Sequence, residues 1–192
     1  MRMSFSYKGI FSFLVMLFVL VRCGQMSGAR DADVFLLFDF EHPKDLKRLS
    51  WSCKVVYSLY ADHATRGRHS LRVDMYPDTY PGFKTRDFPR NWSGFRFLVV
   101  DVFNPAEGNL ALSYRIDDRP NSPSYEDRVN GTVLLPMGKG RIVLDIFELV
   151  TSGTKRHLDT SHIYGLYLFL CSPKEKVTLF LDNIRLVRYP PS

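Results

Sequence analysis

Leu110-Ala111-Leu112-Ser113-Tyr114-Arg115-Ile116-Asp117-Asp118-Arg119 is the stretch that decides the fold. Leu110, Leu112, Tyr114 and Ile116 fall on one side of an extended chain, and Ser113, Arg115, Asp117 and Arg119 on the other. The period is two, not 3.6, so the segment is a half-buried strand. The same pattern recurs on either side. Asp127 to Leu135 sets Val129, Gly131, Val133 and Leu135 against Arg128, Asn130 and Thr132. Leu71 to Tyr76 sets Leu71, Val73 and Met75 against Arg72, Asp74 and Tyr76. At the start of the body, Val34, Leu36, Phe38 and Phe40 alternate with Phe35, Leu37, Asp39 and Glu41.

Further apolar runs cover 95–103, 141–146, 163–171 and 177–187, and Lys54–Tyr60 fits a strand as well. Turn residues separate them: Asp62 to Gly67, Asn104-Pro105, Pro120 to Pro123, Pro136 to Gly140 and Ser172-Pro173. Gly138-Lys139-Gly140 belongs to that set as a hairpin turn signal. Helical turns are expected only near Phe147–Thr151. Many short strands at regular spacing predict an all-β, antiparallel sandwich or barrel. No internal repeat, linker or second domain interrupts the pattern. Three strands carry Arg, Asp, Asn and Tyr on the side away from the core, which suggests one polar platform, although a solvated outer face is ordinary for antiparallel sheets.

The chain has 192 residues, 45% hydrophobic and 24% charged, an ordinary globular composition. Its net charge of +6 is concentrated at the start, where residues 1–29 hold Arg2, Lys8 and Arg22 and no acid. The remainder has 23 basic residues against 20 acidic, too small an excess for a nucleic-acid footprint. Ile10 to Val21 is an apolar run of 12 residues, shorter than the roughly 20 that span a bilayer. It matches the core of a secretory signal peptide. Ser27-Gly28-Ala29 offers small residues for cleavage after Ala29, leaving 30–192 as one domain. A competing reading uses Leu20-Val21-Arg22-Cys23, which resembles a bacterial lipobox with Arg22 out of pattern, and anchors the protein by a lipid on Cys23. Either way the expected location is exported, periplasmic or extracellular. That setting permits a Cys53–Cys171 disulfide, while two free buried thiols fit the sequence equally well.

An ordered set of motifs then resembles a known group. Phe38-Asp39-Phe40-Glu41 precedes Leu46 and Trp51. Gly67-Arg68-His69-Ser70-Leu71-Arg72-Val73, Asn91-Trp92-Ser93-Gly94-Phe95 and Leu98 to Pro105 follow, and Leu179-Phe180-Leu181-Asp182-Asn183-Ile184-Arg185-Leu186 closes the set. The order resembles the galactose-binding-like jelly rolls of bacterial carbohydrate-binding modules across residues 34–188. The resemblance implies a jelly-roll sandwich and a structural calcium held by Asp39, Glu41 and Asp182. Asp182 is of interest on its own account, because strict alternation puts it on a face with Phe180, Ile184 and Leu186, where a carboxylate needs a partner. The Gly67–His69 turn lies where it could add carbonyl ligands.

The same resemblance implies binding of a glycan or polysaccharide without catalysis. Sugar recognition takes aromatic faces and planar polar groups. Tyr76, Tyr80, Phe83 and Tyr125 are the stacking candidates, near the loops at 77–81 and 120–125. Asp117, Arg119, Arg128 and Asn130 are the polar candidates. Trp51 and Trp92 are expected in the core. The rival reading is an envelope scaffold on the same fold, binding a protein partner and no sugar. An enzyme comes third: no Gly-x-Ser-x-Gly elbow, His-Glu-x-x-His motif or phosphate loop is present. A glycosidase needs two facing carboxylates. Asp117 and Asp118 point to opposite faces, and only Asp117 with Asp127 remains as a pair.

Overall fold

The computed structural model describes residues 33–51 and 53–191. The segment 1–29 and Cys23 lie outside the described residues. Among the described residues, eleven strands form two antiparallel sheets that face each other. One sheet has six strands: β3 (Val55–Tyr60), β4 (Ser70–Met75), β11 (Val177–Val187), β6 (Phe97–Asn104) and β9 (Gly138–Asp145) in that order, with β1 (Val34–Phe38) also paired to β11. The other has five: β2 (Leu49–Ser50), β5 (Gly82–Thr85), β10 (Gly165–Phe169), β7 (Leu110–Asp117) and β8 (Val129–Leu135). One short helix, α1 (Pro43–Leu46), and a 3-10 turn at Tyr125–Asp127 complete the regular structure among the described residues. This is the expected sandwich of jelly-roll type.

The inner faces supply the core, as the alternation predicts. Leu112 and Ile116 of β7, Val129 and Leu135 of β8, and Leu71, Val73 and Met75 of β4 are buried in one cluster. Trp92 is fully buried, and its Nε1 donates to the Pro89 carbonyl at 2.9 Å, so a polar atom inside the core is satisfied.

Two bulges break the alternation, and both matter. In β1 the register shifts between Leu36 and Phe38, so Leu37 and Phe38 are both buried while Val34 is exposed. In β11 it shifts between Asp182 and Arg185, and Asn183 takes a left-handed backbone with φ 50°. An extra residue inverts the facing of everything beyond it. Leu179 and Leu181 point inward before the bulge, and Ile184 and Leu186 after it. Asp182 therefore lies on the outer face, across from Asp101, and not beside Ile184 and Leu186.

Other expectations are corrected as well. Residues 146–148 make a turn and Val150 bridges His157, so no helix forms near 147–151. Gly138-Lys139-Gly140 is the start of β9, paired to Asn104, Phe103 and Val102, and the chain crosses between sheets at Pro136-Met137. The three polar strands do not make one platform: β4 belongs to the six-stranded sheet, β7 and β8 to the five-stranded one. Cys53 and Cys171 are free, the first half-buried and the second exposed.

Candidate functional site

The outer face of the five-stranded sheet carries a groove of about 410 Å³. Strand register explains its floor. Lys84, Tyr167, Arg115 and Asn130 form one row across β5, β10, β7 and β8. Gly82, Phe169, Ser113 and Thr132 form the next. Gly82 matters here, because a Cβ at that position would collide with the Leu168 carbonyl and with Cα and Cβ of Phe169, so only glycine lets β5 and β10 lie this close. Trp51, just past β2, stacks on Phe169 with centroids 6.0 Å apart and planes at 20°. It also meets Tyr167 edge-on at 5.6 Å. Tyr80, from the loop before β5, stands perpendicular to Phe169 at 5.8 Å. Tyr125 closes the other end from the 3-10 turn.

Polar groups flank this aromatic cluster. Arg115 grips Asp117 with two bonds of 2.7 Å and lies over the Tyr167 ring at 4.4 Å. Asn130 Nδ2 donates to Ser152 Oγ at 2.8 Å. Arg128 lies over Tyr125 at 5.6 Å. Two buried donors have no hydrogen-bond partner, Trp51 Nε1 and Arg128 Nε. Burial lowers the Arg128 pKa from its usual value, and the nearby Arg115 charge adds to that. Burial raises the Tyr114 hydroxyl.

The structure gathers four of the residues singled out from sequence: Tyr80, Tyr125, Arg128 and Asn130 all line the groove. Asp117 lies beneath it, only 1% exposed and committed to Arg115. Arg119 is exposed in the turn after β7 and does not line the groove. Tyr76 follows β4, on the other sheet, flanked by the ammonium groups of Lys54 and Lys176 at 5.1 and 5.5 Å. Phe83 is core. Trp51, expected in the core, is half-buried and part of the groove. Phe169, Arg115, Ser113 and Thr132 line the groove without being among the candidates from sequence, although the polar face of β7 and β8 points toward three of them. Asp127 is bound to Arg156 at 2.8 Å, so Asp117 and Asp127 are each occupied by an arginine.

No family model matches this sequence, and no curated protein matches it. Solved structures do. The family 11 carbohydrate-binding module from Clostridium thermocellum, in complex with a β-1,3-1,4-mixed-linked tetrasaccharide, superposes with a TM-score of 0.64 at 14% identity, covering 83% of this chain and 98% of that one. A xylan-binding CBM22-1 domain from Paenibacillus barcinonensis gives 0.51 at 17% identity, over 82% of this chain and 98% of that one. The fold is that of the carbohydrate-binding-module jelly rolls. An exo-β-agarase gives 0.63 at 19% identity, but 82% of this chain spans only 25% of that enzyme.

Glu41 Oε1 accepts the backbone N–H groups of Arg68 and His69 at 2.8 and 2.7 Å. Asp182 Oδ2 accepts those of Thr65 and Arg66 at 2.6 and 2.8 Å, and Oδ1 accepts that of Asn183 at 2.6 Å. Asp39 Oδ1 accepts the Glu41 N–H at 3.3 Å. The 65–69 turn thus presents hydrogen-bond donors to these carboxylates, where calcium requires oxygens. Among the described residues no group of three His, Cys, Asp or Glu side chains is placed to hold a metal ion. Asp39, Glu41 and Asp182 do not fit a calcium site. The N–H bonds lower the Glu41 pKa from its ordinary value, while burial raises that of Asp182 despite its own N–H bonds.

Proposed function

We propose that this protein binds a glycan in the groove on the five-stranded sheet and does no chemistry on it. The observation that carries the reading is the cluster of Trp51, Phe169 and Tyr80 with Arg128 and Asn130 beside it. Sugar rings present C–H faces that pack on aromatic rings, and their hydroxyls need planar polar partners. The groove's volume lies within the usual range for ligand sites, about 300–1,000 Å³. The residues lining it include no carboxylate, so it offers no acid and base pair of the kind glycoside hydrolysis uses. The shared fold of sugar-binding modules supports the reading, as does their coverage over nearly their whole length. Among the described residues no helix is long and apolar enough to cross a membrane. The same reading takes residues 1–29 as an export signal, which the N-terminal mass of the mature protein tests.

The direct test is a glycan-array screen of the protein beside Tyr80→Ala and Tyr125→Ala variants. These rings are 50% and 62% exposed, so the fold should survive their loss. A defined hit that weakens in both variants with unchanged melting temperature is the expected result. Retention of the hit in both would move the site elsewhere. An array with no hit would favour an envelope scaffold with a protein partner.

A further inference from the structure

We infer that the glycan of this groove is anionic, carrying a carboxylate or sulfate that docks on the Arg128 guanidinium. The inference rests on the glycan reading above and narrows its substrate class. Six arginines are half-buried among the described residues: Arg48, Arg72, Arg115, Arg128, Arg156 and Arg185. Five have a carboxylate partner: Asp45 for Arg48, Asp74 for Arg72, Asp117 for Arg115, Asp118 for Arg156 and Asp101 for Arg185. Arg128 is the exception, with no ion pair and with a buried Nε that has no hydrogen-bond partner. A guanidinium is always charged in water, and half-burying it without a hydrogen-bonded carboxylate is unfavourable. The Arg115 charge opposes that of Arg128 and Asp117 beneath the groove favours it, but Asp117 spends its hydrogen bonds on Arg115, so no carboxylate contacts Arg128.

The hydrogen-bond inventory points the same way. Trp51 Nε1 and Arg128 Nε are donors awaiting an acceptor on the two sides of the groove. No carboxylate lines it to accept from sugar hydroxyls. What remains for that role is neutral: the Asn130 amide, the Ser113 and Thr132 hydroxyls, which already face each other at 3.4 Å, and the hydroxyls of Tyr80, Tyr114 and Tyr125. A site with charged donors and no charged acceptor suits a ligand that brings the negative charge itself. Lys84, in register with Tyr167, and Arg86, whose Nη2 reaches the Tyr167 hydroxyl at 3.2 Å, extend the positive side along β5.

Calorimetric titration decides the matter. The panel is polygalacturonate and alginate for carboxylates, carrageenan for sulfates, and mixed-linkage β-glucan, xylan and agarose as neutral chains. Binding to one anionic class is expected, with Arg128→Gln weakening it at least about tenfold at unchanged melting temperature. Arg128→Lys keeps the charge without the planar fork and should fall between, which holds the test open if the glutamine variant misfolds. Lys139→Gln, an exposed charge on the six-stranded sheet, should change nothing. Binding of a neutral chain with refusal of every anionic one would overturn the inference and leave the glycan reading standing. Anionic binding indifferent to Arg128→Gln, or equally reduced by Lys139→Gln, would show diffuse attraction and overturn it too. Refusal of the whole panel would overturn both.

Discussion

Trp51 has Phe169 stacked on its face and an indole N–H with no partner. The stacking alone would make it a packing residue, and under the proposed glycan reading its unpartnered N–H is the group a ligand acceptor would satisfy. Trp51→Phe separates the two roles, since it keeps a stacked ring and removes only the N–H. A net hydrogen bond is worth about 0.5–1.5 kcal/mol, so the variant should bind a cognate glycan a few-fold to about tenfold more weakly in calorimetry, with little change in melting temperature. Cys171 offers a second readout, because its exposed thiol lines the same groove. In a Cys23→Ser/Cys53→Ser background, bound glycan should slow its modification by a maleimide, and an unchanged rate would place the ligand elsewhere. Sequence could not assign Trp51 to this face. It stands beyond a two-residue strand, where no alternation exists to say which way a side chain points. Phe169 was hidden for a related reason, since β10 is buried on both faces from Gly165 to Leu168 and reads as continuous core.

At the level of elements, β7, β8 and β11 show how far alternation carries. In β7 and β8 it assigns the inner and outer faces correctly, and register then places Arg115 opposite Asn130. In β11 it holds as far as the bulge and inverts beyond it, which is why strict alternation sets Asp182 on a face with Ile184 and Leu186. Neither bulge has a local signature in the sequence. Asn183 tolerates a left-handed backbone, but so do other residues in turns. The bulge gives Asp182 a task, because it turns the carboxylate toward the 65–66 backbone, where it accepts two N–H bonds from a loop more than a hundred residues away in sequence. Asp182→Ala orphans those donors, each costing about 1–3 kcal/mol if it stays buried. A loss of about 2–4 kcal/mol in denaturant unfolding is expected, and a loss below about 0.5 kcal/mol would show that the loop is held by other contacts. The raised Asp182 pKa gives Asp182→Asn a different forecast: it removes a charge that burial disfavours and keeps one acceptor oxygen, so it should cost less than the alanine.

Across the whole molecule, the same carboxylates decide how the fold responds to acid and to chelators. Glu41 is held below its ordinary pKa, chiefly by the Arg68 and His69 N–H groups. Asp101 also falls below its ordinary value: burial would raise it, but bonds from Arg185, Thr65 and Arg141 outweigh that. Asp159 is brought to about 2 by bonds from Ser161 and His162. A depressed folded pKa contributes stability that is complete above the unfolded value and disappears as pH falls through the folded one. Asp182 has the opposite sign, since its raised pKa makes the charged form a burden near neutrality that protonation relieves as pH drops. Asp74 is lowered too, its burial outweighed by bonds from Thr178, Arg72 and Lys176, and four lowered carboxylates against one raised predict that the melting temperature falls from about pH 5 toward pH 2. Asp182→Asn removes the opposing group, so its melting temperature should fall more steeply over that range than that of the unaltered protein. A calcium-held sandwich would behave differently: chelator would lower its melting temperature at neutral pH and added calcium would restore it. Here the 65–69 turn is fastened by N–H bonds to Glu41 and Asp182, so chelator should leave the melting temperature unchanged at pH 7. Melting curves at pH 7 and pH 3, each with and without chelator, separate the two. A drop of several degrees with chelator at pH 7 would mean that the turn rearranges to present oxygens to a metal, and the hydrogen-bonded turn described above would not be its working state.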